Sequence, residues 1–478
     1  MHLIDPAKHT RRAFLRRAGQ LAFTGAALPT AMNLAAMGEA AAFNATDYKA
    51  LVCVFLFGGN DYANTVINYD PTTHGQYATI RGGISIPRAS LAATALTPTT
   101  PLPDGVQYAL HPSMTGLAGL FNGGKAAVQL NVGPLVVPLT RQQYNSSNRT
   151  LYPRPPKLFS HNDQQSVWMT SAAEGTTTGW GGHIGDLARS SNNPNNVLTC
   201  VSVAGNTVFL SGDQALSYQV SSNGAVRINS LNNNVYGSAA VRAAMLQIAL
   251  QSRTHTLENE YNLVTGRAFS TESALTNALD QFPATNAPFN AFPNNSLASQ
   301  LRLVARLIAA RNVLSTRRQV FFVSLGGFDL HDNLISGQAT LMERLSSALT
   351  AFYDATVQLG VADKVTAFTA SDFGRTLTSN GDGSDHGWGS HHLMVGGAVR
   401  GAAFYGKAPP VSVGNSNTDS FDQWHVGQGR LLPSTSVDQY AATLANWFGV
   451  ENAELGQILP YIGNFGGTDY PRNLGFMA

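Results

Sequence analysis

The chain has 478 residues, 44% of them hydrophobic, which suffices for one large α/β domain with a sizeable core or for two to three ordinary ones. Charged residues are only 12%, about half the usual share, so Asn, Ser, Thr and Gly fill much of the surface. Setting aside the first 42 residues leaves 25 basic against 26 acidic residues, a balance near −1 that implies no basic patch for nucleic acid.

Those first 42 residues carry paired arginines, Arg11 and Arg12, followed by Phe14 and Leu15, a modestly apolar segment, and small residues up to Ala42. The pattern resembles a twin-arginine signal peptide over 1–42. The mature chain is then expected in the periplasm or secreted, with the twin-arginine translocation machinery as a transient partner. Pro29, Asn33 and Glu39 interrupt the apolar run, so no permanent membrane span is expected.

The mature chain opens with "YKALVCVFLFGGND", whose continuous run 51–57 suits a strand buried on both faces of a parallel sheet. Further strands are predicted over 125–133, 196–205, 318–327 and 364–372. Helical spacing of apolar residues appears over 239–263, 296–314, 338–359 and 437–448. The alternation indicates an α/β fold, a mostly parallel central sheet with helices on both faces. One elaborated domain over 43–478 is expected, with weak strand signals over about 206–295 suggesting an inserted cap. Cys53 and Cys200 lie inside apolar runs and read as two buried thiols, although an oxidising compartment would permit a disulfide.

In an open α/β sheet, functional side chains gather beyond the carboxyl ends of the strands. Three such ends carry one signature, an apolar strand, small residues, then acids and histidines: "FLFGGNDYANT" with Asp61, "FVSLGGFDLHDN" with Asp329 and His331, and "FTASDFGRT" with Asp372. A Gly-rich loop continues from the last with Asp385, His386, His391 and His392. Carboxylate and imidazole together suit Zn²⁺, Mn²⁺ or Fe, whereas Ca²⁺ and Mg²⁺ sites seldom use imidazole. Asp61 and Asp372 also suit plain helix N-caps.

The leader, "FLFGGNDYANTV", "SHNDQQSVW", "GGFDLHDN" and "SDFGRT…DHGWGSHH", in that order, resemble the secreted bacterial family known as domain-of-unknown-function family 1501. The resemblance implies the alkaline phosphatase and sulfatase superfamily, whose members hold one or two divalent metals at the ends of parallel strands. It implies Asp61 as the first metal aspartate and Asp329 with His331 as the pair on the other metal. Asp372 ends the strand that would carry an Asp-His-Gly motif, yet Phe373 stands where the histidine would be. An Asp-His-Gly follows later as Asp385, His386 and Gly387, and His391 or His392 would be the final ligand.

The resemblance further implies a Ser or Thr nucleophile at a helix N-terminus, for which "KLFSHNDQQSVWMTS" offers Ser160, with His161 next to it. Arg375 is placed to meet an anionic substrate group. The expectation is therefore an exported hydrolase of phosphate or sulfate esters using one or two Zn or Mn ions, with an anionic small-molecule or polymer ester as substrate. The alternative is a non-catalytic binding or assembly protein that keeps the fold. A redox protein finds no Cys cluster or dinucleotide fingerprint in its support.

Overall fold

The computed structural model describes residues 45–226, 234 and 236–478; the signal-peptide reading over 1–42 falls outside them. Among the described residues twelve strands are formed: β1 Lys49–Phe57, β2 Val66–Asn68, β3 Tyr108–Leu110, β4 Ala126–Gly133, β5 Cys200–Ser202, β6 Tyr218–Ser221, β7 Gly224–Ala225, β8 Arg318–Gly326, β9 Val365–Ser371, β10 Ser390–Gly396, β11 Phe404–Tyr405 and β12 Thr435–Ser436. Ten join one sheet in the order β11-β4-β10-β9-β1-β8-β5-β6-β7, with β12 also on β4, while β2 and β3 pair separately. Most pairings are parallel, and β10 and β7 run antiparallel to their neighbours.

The continuous apolar run of β1 explains its place at the centre. Alternate residues of a strand point to opposite faces. Ala50, Val52, Val54 and Leu56 pack into one core layer, and Leu51, Cys53 and Phe55 into the other. The first layer is closed by α2 (Thr115–Asn122), α7 (Ser296–Ala309) and α8 (Leu334–Gln358). The second is closed by α4 (Trp180–Ala188) and α9 (Val437–Phe448). The bounds of α9 are legible locally. Ser436 Oγ accepts from Gln439 N at 3.0 Å, Gln439 Oε1 accepts from Ser436 N at 2.9 Å, and Gly449 at φ 119° ends the helix.

Differences from the sequence reading have local causes. The predicted helix over 239–263 is two helices, α5 (Ala239–Leu250) and α6 (Thr256–Asp280). The break is held by Asn262 Nδ2 donating to the carbonyl of Gln251 and Asn259 Oδ1 accepting from Arg253 N. The predicted strand over 196–205 shortens to β5, because Asn196–Thr199 coils into a 3₁₀ turn. Cys53 and Cys200 are free and buried, and burial pushes both thiols up. Among the described residues no helix is long and apolar enough to cross a membrane.

The register decides where the chemistry sits. Phe57 of β1 pairs with Gly326 of β8, and Leu56 pairs with Ser371 of β9. Three adjacent parallel strands thus end level with one another. The chain leaves them through Asp61, Asp329 and Asp372, all beyond the carboxyl ends of these central strands.

Candidate metal centre

Asp329 follows β8 and His331 lies two residues beyond it. His386 comes from the Gly-rich loop after β9. His161 opens α3 (His161–Thr170). These four side chains, drawn from three distant segments, point their donor atoms at one another. His386 Nε2 lies 3.2 Å from His161 Nε2, 3.0 Å from His331 Nε2 and 3.2 Å from Asp329 Oδ1. His161 Nε2 is 3.3 Å from Asp329 Oδ2, and His331 Nε2 is 3.1 Å from Oδ1. His161, Asp329 and His386 form a group able to hold a metal ion.

The other nitrogen of each ring is already spoken for. His161 Nδ1 faces Asp372 Oδ2 at 2.6 Å, His331 Nδ1 faces Asp385 Oδ1 at 3.2 Å, and His386 Nδ1 faces the Phe159 carbonyl at 2.7 Å. Carboxylates and carbonyls only accept here, so each Nδ1 carries the proton and donates. In the neutral rings, three Nε2 lone pairs and a carboxylate then converge at 3.0–3.3 Å. Such a set repels itself unless a cation or shared protons sit among the donors. Zn–N and Zn–O bonds of about 2.0–2.2 Å place neighbouring ligands roughly 3 Å apart, and metal-bound histidines typically donate their second ring N–H to a carboxylate or carbonyl. The donor set fits a divalent ion.

The supports are themselves fixed. Asp372 is fully buried and accepts from Gly58 N at 3.3 and 3.2 Å and from Gln165 Nε2 at 2.9 Å. Gly58 has φ +116°, and a Cβ there would collide with the backbone of Asp329, so glycine is required where β1 passes the site. A Cβ on Gly383 would likewise strike the backbone of His331, which explains one glycine of the loop. Buried Phe373 packs its ring 4.8 Å from that of His161 and 4.7 Å from that of His386, an apolar floor that holds both imidazoles.

Electrostatics follow from these contacts. His161 is held above the usual imidazole range, chiefly by its hydrogen bond to Asp372 and against the pull of burial. Burial lowers His386, and the charges of His161 and Arg375 add to that. Desolvation pushes the Asp329 carboxyl up, but the Arg375 hydrogen bond and charge outweigh it and leave it low. The Asp329 and His331 side chains are 42% and 41% exposed, so one side of the group is open to solvent.

The residues singled out in the sequence divide clearly. Asp329, His331 and His386 meet in one cluster, and Asp372 and Asp385 back it. Asp61 stands apart, bonded to Arg81 Nη2 at 2.6 Å, the N–H of Asn64 and the hydroxyl of Ser384. Arg375 is buried, with its guanidinium taken up by Asp329, the Gly58 carbonyl and Ser384. His391 and His392 lie in β10, one on each face of the sheet. His391 Nδ1 accepts from Asn131 N at 3.0 Å, and the His392 ring lies 4.8 Å from that of Trp168. Burial lowers both imidazoles to about 3. Ser160 caps α3 beside His161, and its hydroxyl donates to Asp163 Oδ2 at 2.8 Å. From the sequence His161 is at most a residue that orients a substrate, not a metal ligand; its signal is a histidine at a predicted helix start within "SHNDQQSVW".

The chain matches the model of a family described as a protein of unknown function (DUF1501) over residues 48–449, and it belongs to that family. No curated protein matches it. Among solved structures, the crystal structure of Ps i-CgsB overlaps 88% of this chain and 77% of its own at 10% identity and a TM-score of 0.35. A Bacteroides thetaiotaomicron structure from work on the metabolism of multiple glycosaminoglycans overlaps 87% and 74% at 9% identity and a TM-score of 0.33. Identities and TM-scores this low carry no argument.

Proposed function

We propose that this DUF1501 protein is an exported, metal-dependent hydrolase of phosphate or sulfate esters, with an alkaline phosphatase-like α/β domain. The observation that carries the metal reading is the convergence of the Nε2 atoms of His161, His331 and His386 on Asp329, each ring with its Nδ1 proton already committed. These four residues would hold one Zn or Mn ion. Bound there, the ion would supply Lewis-acid polarisation of an ester oxygen.

The remaining work falls to the chain. Ser160 lies next to His161 at the start of a ten-residue helix, whose first N–H groups and dipole favour an anionic ester group. Its hydroxyl is oriented by Asp163, which would take the proton as Ser160 Oγ attacks phosphorus or sulfur. The bond to the ester oxygen breaks, the alcohol leaves with a proton from solvent, and water then cleaves the seryl ester. Asp163 is in turn held by Lys157 Nζ at 3.3 Å. Phe373 keeps water from the inner side of the imidazoles.

A second reading, a metal-holding protein without turnover, is favoured by one observation. Arg375, the cation expected to meet the substrate, is consumed internally by Asp329 and Ser384. Metal analysis of the full chain combined with a panel of phosphate and sulfate esters separates the two. The hydrolase reading expects bound metal, turnover of at least one ester class, and loss of turnover with metal retained in Ser160→Ala. A metal-loaded protein that leaves every ester intact supports the second reading.

A further inference from the structure

Three buried or half-buried arginines bond to the chain beyond β1 and β9, and they differ in what their guanidinium groups have left to offer. Arg81 gives Nη2 to Asp61 and aims Nη1 at the carbonyls of Thr376 and Leu377. Arg375 is bonded through Nε, Nη1 and Nη2. Neither is reached by solvent. Arg430 is different. Its Nε donates to the carbonyl of His386 at 2.7 Å, and its guanidinium lies 5.3 Å from the centre of the Phe159 ring. Among the described residues, neither of its terminal nitrogens has a hydrogen-bond or ion-pair partner.

From this we infer that Arg430 is the anion fork of the site, the residue that receives the non-bridging oxygens of a phosphate or sulfate group. The inference rests on the ester-hydrolase reading above and says how that substrate would be held.

The anchoring supports the assignment. Both residues that hold Arg430 in place also belong to the candidate centre or support it. His386 contributes its carbonyl to Arg430 and its Nε2 to the cluster. Phe159 contributes its ring to Arg430 and its carbonyl to His386 Nδ1. A guanidinium fixed through Nε, with an aromatic ring 5.3 Å away, is restricted in how it can turn its planar pair of N–H donors, and such a pair matches two oxygens of an oxyanion. The neighbouring acid does not cancel it. Asp385 lies close enough for its charge to be felt by Arg430, yet its carboxylate is bonded to His331 and Asn380. Burial also weakens the hydration of Arg430, so an arriving anion would displace less water there than at an exposed lysine.

The test titrates inorganic phosphate and inorganic sulfate into the zinc-loaded and the metal-free full chain by calorimetry, with zinc content and thermal midpoint measured on each sample. The expected result is that Arg430→Gln keeps its zinc and its midpoint while binding phosphate about tenfold more weakly or worse. Arg430→Lys, which keeps charge and bulk if the Gln variant folds poorly, should fall between the two. Phosphate affinity unchanged in zinc-replete Arg430→Gln overturns the inference. So does loss of zinc in that variant, which would make Arg430 a support for the His386 loop. A wild-type chain that holds no zinc yet still binds phosphate through Arg430 would sink the metal reading and leave the fork standing.

Discussion

Arg81 Nη2 lies 2.6 Å from Asp61 Oδ2, and the two side chains are 0% and 2% exposed. With the N–H of Asn64 and the hydroxyl of Ser384 also donating to it, three of the roughly four acceptor sites of the Asp61 carboxylate are taken by groups other than the imidazoles. An internal guanidinium therefore takes the place beside Asp61 that a second cation would need. The expected stoichiometry is one metal ion per chain. Asp61→Ala should leave that ion bound but strand Arg81 in the interior, at roughly 3–5 kcal/mol of stability. Denaturant unfolding and metal content check this, and a folded Asp61→Ala protein without metal would contradict it.

His386 is the hub of the cluster, within 3.2 Å of both other imidazoles and of Asp329. His386→Ala and Asp329→Ala are each expected to take bound metal from one ion per chain to none. His161→Ala should lose it as well, although the motif-based reading named no metal role for that residue. Elemental analysis after gel filtration reads all three, with circular dichroism showing that the fold persists.

Asp372 should act through His161 and not on the metal directly. Asp372→Asn retains the shape of the side chain but weakens the 2.6 Å bond that fixes the ring and its Nδ1 proton. Metal affinity should fall by about 10- to 100-fold without vanishing. Complete loss, with the protein folded, would show that Asp372 is itself a ligand.

His392 predicts acid lability of the fold. Burial lowers its imidazole to about 3, against an unfolded value near 6.5. The unfolded chain therefore binds the proton first, and stability rises with pH across that window. The contribution is complete above about pH 6.5 and drains away as pH falls towards 3, at about 1.4 kcal/mol per pH unit. Among the described residues His392 Nε2 has no hydrogen-bond partner, and the rings of Trp168 and Tyr440 lie 4.8 and 6.1 Å from its own. His392→Phe should fold and should flatten the slope of unfolding free energy against pH between 4 and 6 by that amount. An unchanged slope would rule out a buried neutral His392.

Much of the architecture is legible in local sequence. The apolar runs around Val54, Val323 and Phe368 became three adjacent central strands, and the Ser436–Gln439 box with Gly449 bounds α9. Strands buried on both faces and capped helices leave signals within a few residues, because their causes are solvent exclusion and backbone hydrogen bonding nearby. Burial of His391 and His392 was harder to see. "SHH" looks like the tail of a polar loop, and only pairing of β10 with β4 and β9 turns it into the first residues of a core strand.

Sequence alone established that acids and imidazoles crowd the carboxyl ends of several strands. Which of them share a centre was decided by the fold. The level ends of β8, β1 and β9 and the approach of α3 place His161 beside Asp329, 168 positions away. The same tertiary contacts bind Asp61 to Arg81 and leave Arg430, not Arg375, with free donors. The reason is physical. A side chain's chemical type is written at its own position, whereas its available lone pairs and donors depend on whatever the rest of the chain brings within 3 Å of it.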